Sequence, residues 1–151
     1  MASLVYNTAK QLMADGTIDL DTNTIKVMLV TSAYTPNADH DYVDEGGASD
    51  PCDAEINVTG YTRGFNGAGR KTLANADVTT DKANDRAEFD ADDPTWTALG
   101  SGATIAGAIL IKEGTSDTDS RLIAYIDVTD TATNGGDITL QFNAQGILQL
   151  A

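Results

Sequence analysis

Hydrophobic and polar residues alternate with a period of two over much of the chain, and β-branched residues are frequent in these runs. This period places successive side chains on opposite faces of a β-strand. Runs of this kind are separated by clusters of Gly, Asn, Asp and Ser, which favour turns. The predicted strands are 25–31, 54–59, 73–79, 86–90, 103–112, 122–128, 138–142 and 147–150.

The run 103–112 is apolar on both of its expected faces, which predicts a strand at the centre of a sheet. Ile105, Gly107, Ile109 and Ile111 would share one face, and Ala106, Ala108 and Leu110 the other. In 122–128 the alternation predicts that Leu122, Ala124, Ile126 and Val128 all point inward.

Residues 3–15 show the one helical period in the chain, because Val5, Ala9, Leu12 and Met13 lie on one stripe. Ser3 could cap the start of this helix and Gly16 could end it.

The segment 34–69 interrupts the periodic pattern and is rich in Pro, Gly, Asn and Asp. It predicts a long excursion with a short helical turn near 40–45, and loops of this length often carry binding surfaces. The sequences Gly114-Thr-Ser-Asp and Asn134-Gly-Gly-Asp predict hairpin connections. The whole pattern predicts one mainly β domain over 1–151, an antiparallel β-sandwich or barrel of about six to eight strands with one N-terminal amphipathic helix.

Charge narrows the range of partners. The chain has nine Lys and Arg residues and 23 Asp and Glu residues, so its net charge is −14. The negative electrostatic field of such a protein repels nucleic acid. The only tight basic cluster is Arg63, Arg70 and Lys71. No run is long and apolar enough for a membrane span and no signal peptide opens the chain, so we expect an unprocessed, soluble protein with no membrane partner. Cys52 is alone, which excludes an internal disulfide and a cysteine-rich zinc site.

Several motifs suggest chemistry, but each has a simpler structural interpretation. The sequence Gly64-Phe-Asn-Gly-Ala-Gly69-Arg70-Lys71-Thr72 approaches a phosphate-binding loop, although Arg70 separates the last Gly from the Lys and the following residues form a poor helix. We interpret it as a flexible glycine turn before a strand. The pairs 19/21, 39/41 and 117/119 and the cluster Asp90, Asp92 and Asp93 could hold a cation, but a solvated acidic surface is favoured.

Catalytic arrangements also lack support in the sequence. His40 is the only histidine, so any triad or two-histidine metal site within one chain fails or depends on it. Glu88 and Asp90 could serve a glycan hydrolase if two carboxyl groups faced one cleft. The glycosylation-like Asn57-Val-Thr59 is interpreted as strand sequence, and Trp96 as a core residue in preference to an interface anchor. We therefore expect no enzyme, no cofactor and no metal.

A series of short motifs runs through nearly the whole chain. They are Leu4-Val-Tyr-Asn, Asp15-Gly-Thr-Ile-Asp-Leu-Asp, Thr24-Ile-Lys-Val-Met-Leu-Val-Thr-Ser, Tyr34-Thr-Pro, His40-Asp41, Gly60-Tyr-Thr, Lys71-Thr-Leu-Ala, Asp85-Arg-Ala-Glu-Phe-Asp-Ala-Asp-Asp, Leu122-Ile-Ala-Tyr-Ile-Asp and Phe142-Asn-Ala-Gln-Gly-Ile-Leu. In this order they resemble a family of small virion structural proteins of tailed bacteriophages. The loop 60–71 is longer and richer in Gly than the simplest version of that pattern.

The resemblance implies a multicopy particle component made in the bacterial cytoplasm and located in the virion. The preferred assignment is a capsid decoration (cement) protein on the capsid surface, which binds the major capsid protein and copies of itself, for example as a trimer. A tail, baseplate or fibre component, acting as an adaptor or receptor-binding module, is the alternative. In either case we expect the helix and the excursion 34–69 to supply most contacts to neighbours.

Overall fold

The computed structural model describes all 151 residues and shows a mainly β, antiparallel fold, as predicted. Ten strands exceed the predicted six to eight because four of them have only two residues. The helix α1 is Asn7–Ala14, and a 3₁₀ turn spans Pro51–Ala54. The strands are β1 Leu4–Val5, β2 Ile25–Val30, β3 Lys71–Thr72, β4 Asp77–Asp81, β5 Arg86–Asp90, β6 Thr95–Trp96, β7 Thr104–Lys112, β8 Arg121–Ala132, β9 Ile138–Thr139 and β10 Leu148–Leu150.

The strands form three sheets. The largest has the order β1-β8-β7-β2-β3, so β7 lies at its centre as its apolar faces predict. A three-stranded sheet has the order β10-β5-β4, and β6 pairs with β9. Each order has two ends, so no sheet closes on itself into a barrel.

Both faces of the five-stranded sheet are covered. One face packs against the smaller sheets in a sandwich-like arrangement, with Phe89, Trp96 and Leu140 in the shared core. The other face is covered by the N-terminal segment and the first half of the excursion 34–69, which contribute Tyr6, Ala9, Tyr34, Val43 and Ala54, whereas Ile56 and Tyr61 of the excursion pack in the shared core. The sheet is therefore the middle layer of the molecule.

Two irregularities in the pairing of β7 with β8 correct the predicted faces. The register shifts between Ile105 and Gly107, and Ile105 lies in the core facing the smaller sheets, away from Ile109 and Ile111. A second shift, between Leu110 and Ile111, places Leu122 on the face that packs against the helix and the excursion. Strict alternation fails at these points because a bulge changes which face the next side chain meets.

The start of the predicted helix is wrong. Leu4 and Val5 form β1 and pair with Tyr125 and Ala124 of β8, so the helix begins only at Asn7. Ser3 does not cap it, and its hydroxyl oxygen instead accepts a hydrogen bond from the Asp127 N–H. The predicted end is confirmed, because Gly16 follows the last turn with a φ of +79°.

Other predicted elements are shorter or absent. Residues 40–45 contain no helical turn, and 54–59 is not a strand but makes only isolated bridges, including Val30 with Glu55. Asn75, with a φ of +51°, interrupts 73–79, so β4 begins at Asp77. The strand predicted over 138–142 ends at Thr139. The loop at Gly114 joins the hairpin β7–β8 as predicted, whereas the turn at Asn134 leads from β8 to β9, which pairs with β6 and makes no hairpin with β8.

We predict that Gly107→Ala destabilises the fold. A Cβ at this position would lie 2.3 Å from Cε2 of Tyr125, whose ring is buried and whose hydroxyl donates to the Ala106 carbonyl. The expected loss in the free energy of unfolding is about 1–3 kcal/mol, measured by denaturant titration. Gly136→Ala is the control, because it meets only the flexible Asn134 side chain. Equal stability of the two variants would contradict the close contact.

Candidate functional site

The excursion 34–69 is packed onto the five-stranded sheet, and its tyrosines make the contact. The hydroxyl groups of Tyr6 and Tyr34 lie 2.8 Å apart in a hydrogen bond beneath the excursion. Burial, together with the nearby Tyr34, raises the pKa of the Tyr6 hydroxyl. The first half of the excursion is thereby tied to the residue that precedes α1.

A buried ion-pair network holds the second half of the excursion. The Arg70 side chain is 0% exposed, and its Nε and Nη2 donate to the two carboxylate oxygens of Glu55 at 2.9 and 2.7 Å. Its Nη1 donates to Asp117 Oδ1 at 2.5 Å, and the Tyr61 hydroxyl donates to Glu55 at 2.9 Å. Burial alone would lower the pKa of Arg70, but the hydrogen bonds to both carboxylates outweigh it and raise the pKa. The network joins the excursion to the β7–β8 loop.

The β7–β8 loop presents Asp117 in a fixed position because Asp119 organises its backbone. Asp119 Oδ1 accepts hydrogen bonds from the N–H groups of Thr115 and Ser116. The side-chain hydrogen bond from Thr115, and then these N–H groups, lower the pKa of Asp119 to about 2. This carboxylate therefore has a local structural role within the pair 117/119.

The glycine-rich run 64–72 packs against buried aromatic side chains and ends in β3, with no helix after it. A Cβ on Gly69 would lie 2.3 Å from the Tyr61 ring, and Trp96 Nε1 donates to the Gly69 carbonyl at 2.6 Å. Trp96 is 1% exposed, which confirms it as a core residue. Arg63 is exposed while Arg70 is buried, so the predicted basic cluster does not form one surface patch.

The residues considered for catalysis have other partners. His40 Nδ1 lies 3.2 Å from the Tyr34 hydroxyl, and Glu88 Oε1 accepts a hydrogen bond from Arg86 Nε at 2.7 Å. Asp92 accepts from the Asn75 side chain, and Asp93 from the Phe142 N–H. No three His, Cys, Asp or Glu side chains are grouped so that they could hold a metal ion. Asn57 is exposed in a loop and not in the predicted strand. None of the helices has the length and apolar character needed to cross a membrane.

An acidic cleft marks the outer side of the excursion, beside the β7–β8 loop. Its carboxylates are held in place by α1 and by neighbouring N–H groups. Asn7 Nδ2 donates to Asp39 at 2.7 Å, and the Thr8 hydroxyl donates to Asp41. Asp39, Asp41, Tyr42, Asp44, Glu45, Gly46 and Thr118 line this cleft.

A second surface is apolar and lies where the two terminal strands meet. One cavity of about 450 Å³ opens between β1 and residues 141–149, and another of about 360 Å³ opens between α1 and the three-stranded sheet. Val5, Leu148 and Gln149 line both cavities, so we treat them as one groove and name it the terminal groove.

The terminal groove follows from the alternation in the three-stranded sheet. Val78, Phe89 and Leu148 are in register, so their side chains share one face. Phe89 at the middle of that face is buried, whereas Val78 is 43% exposed and Leu150 is 68% exposed. The pattern of 147–150 predicts the strand, but it does not reveal that helix and sheet leave part of its apolar face uncovered.

Lys10 and Glu88 are the only charged residues that line the terminal groove, although the chain has a net charge of −14. The groove is therefore a neutral, apolar surface on an acidic protein, and it is our candidate docking site.

Comparison of this chain with protein-family models, curated proteins and solved structures finds no match.

We predict that Arg70→Met strongly destabilises the fold, because it leaves the Glu55 carboxylate buried without its cation. The expected loss is about 3–5 kcal/mol in the free energy of unfolding, measured by denaturant titration. Arg63→Met, which removes an exposed guanidinium, should change stability by no more than about 0.5 kcal/mol. Replacing Glu55 by Leu as well should recover part of the loss. An Arg70→Met variant as stable as the wild type would contradict the importance of this network.

We predict that Cys52 reacts slowly with iodoacetamide in the folded protein. Burial, and then the charges of Asp44 and Asp53, raise the pKa of its thiol to about 12. Very little reactive thiolate is therefore present at pH 8. The alkylation rate, followed by mass spectrometry, should rise on unfolding in guanidinium chloride. A folded-state rate equal to that of free cysteine would contradict this prediction.

Proposed function

We propose that this chain is a bacteriophage virion structural protein, and that it acts as a capsid decoration protein that binds across capsid subunits. The ordered series of motifs from Leu4 to Leu148 supports the family assignment. The observation that carries the docking role is the terminal groove, a neutral apolar surface on a protein of net charge −14.

The rigid attachment of the excursion supports the same role. A protein that holds neighbouring subunits together needs contact surfaces that do not yield under load. The Arg70 network fastens the excursion to the β7–β8 loop at one point, and the tyrosine pair fastens it to the start of α1 at another. The backbone that carries the acidic cleft is therefore held in place by both the Arg70 network and the tyrosine pair.

Decoration would stabilise the head by mass action. A protein that binds only the assembled junction between subunits shifts the equilibrium towards the assembled state. If the protein assembled as a trimer around a local symmetry axis, weak individual contacts would be reinforced by multivalency.

The alternative is a tail, baseplate or fibre component, for which the aromatic side chain of Phe142 in the terminal groove is favourable. A hydrolase that uses Glu88 is less well supported, because Arg86 already engages this carboxylate through both a hydrogen bond and an ion pair. We therefore infer a binding role and not a catalytic one.

Gold-labelled antibodies against this protein, imaged on intact virions, test the assignment. Label distributed over the whole head is expected, because decoration proteins occupy many equivalent positions. Heads that lack the protein should then release their DNA at a lower temperature than complete heads. Label confined to the tail would support the alternative, and virions without label would contradict both assignments.

A further inference from the structure

We propose that the terminal groove binds an extended segment of a partner protein, which pairs as an added β-strand with the free edge of β10. The segment would carry alternating apolar side chains flanked by basic residues. This inference rests on the proposed function, because it assigns that docking surface a binding mode and a class of partner.

The backbone at the groove supports strand addition. Antiparallel strands direct their N–H and C=O groups alternately towards the partner strand and away from it. Ile147 N donates to Phe89 O, so the peptide groups of Phe89 face β10, and those of its register partner Leu148 face β5. Leu150 faces β5 by the same alternation, and the peptide groups of Gln149 point away from β5. By the same alternation, the bond from Tyr6 N to Ile123 O leaves the Val5 peptide groups on the outer edge of β1. Val5 and Gln149 line both cavities, so two edges with free peptide groups border the groove.

The two edges of the three-stranded sheet differ in their protection. Edge strands commonly carry charged side chains that prevent pairing with another chain. β4 begins and ends with Asp77 and Asp81, whereas β10 consists of Leu148, Gln149 and Leu150 and carries no charge. β10 is therefore the edge that can accept a strand, and its exposed Leu150 lies beside the apolar cavity.

The shape and chemistry of the groove favour an extended segment over a helix. A helix satisfies its own backbone groups and would leave those of Val5 and Gln149 unpaired. An extended segment pairs its backbone with an edge and directs alternate side chains into pockets. The apolar lining of both cavities matches apolar side chains at alternate positions.

Charge favours a different protein over a second copy of this chain. Two copies that each carry −14 repel each other over their whole surfaces. The groove itself is neutral, so the core of the bound segment should be neutral too. Lys or Arg residues on its flanks would face the acidic surface beyond the groove and increase the rate of encounter.

Peptide binding tests the inference on the purified protein. The probe is a fluorescein-labelled peptide in which Val and Thr alternate between terminal Lys residues, and binding is followed by fluorescence anisotropy. We expect the wild type to bind this peptide. A second peptide, identical except that its central residue is replaced by Pro, should bind at least about tenfold more weakly. No binding of the alternating peptide, or equal binding of both peptides, would overturn the proposal.

Variants of β10 locate the binding site. Leu150→Lys places a charge beside the apolar cavity, and Gln149→Pro removes the outward N–H without removing a backbone bond to β5. Both side chains are exposed, so both variants should fold. Ser101→Lys is the matched control, because it adds the same charge at an exposed residue that lines neither cavity. We expect about tenfold weaker peptide binding for both β10 variants and unchanged binding for the control. Unchanged binding by the β10 variants would overturn the assignment to β10.

Two further measurements separate this inference from the proposed function. In hydrogen exchange of the virion-bound protein, the Gln149 amide should be protected relative to the free protein, while the β4 amides on the outer edge should not. Virions without immunogold label would contradict the proposed function, but they would leave the result of the peptide-binding test unchanged. Sedimentation equilibrium tests whether a second copy occupies the groove. If the wild type self-associates and the Leu150→Lys variant is monomeric, the partner is a second copy and the choice of partner is overturned.

Discussion

The constraint on which the architecture depends is that the central strands of the large sheet are apolar on both faces. β2 and β7 present buried side chains on each side, so the sheet is stable only if both sides are covered. The smaller sheets, with Ile56 and Tyr61 of the excursion, cover one face, and the N-terminal segment with the first half of the excursion covers the other. The long irregular segment is therefore part of the core, and the buried Arg70 network holds it there through Glu55, which also accepts the Gly64 N–H.

Periodicity was informative where a strand has an unambiguous apolar face. It predicted β2 from its β-branched run, β5 from the alternation of Ala87 and Phe89 with charged residues, and the central position of β7 from its two apolar faces. It failed at the N-terminus, since Val5 fits both a helical stripe and a strand and only its pairing with Ala124 decides between them. The bulges that move Ile105 and Leu122 to other faces arise from the pairing of two strands, so the sequence of either strand alone does not predict them.

The candidate surfaces were predictable only in part. The excursion was predicted to be a binding surface, and it does present the acidic cleft, but its Glu55 proved to be buried with Arg70, which follows the excursion. These two residues are 15 positions apart in the sequence, and Asp117 lies 47 positions beyond Arg70, so no local pattern indicates their contact. The terminal groove was not predicted, because it depends on how α1 and the three-stranded sheet meet.

The two terminal strands lie on either side of one cavity, and this has a practical consequence for handling the protein. A purification tag or a displayed peptide fused at either end of the chain would start beside the terminal groove and would compete with anything that binds there. The turn 82–85 joins β4 to β5, and its residues are exposed and line neither cavity. An insertion at that turn would leave the groove open, which makes it the better position for carrying a foreign sequence.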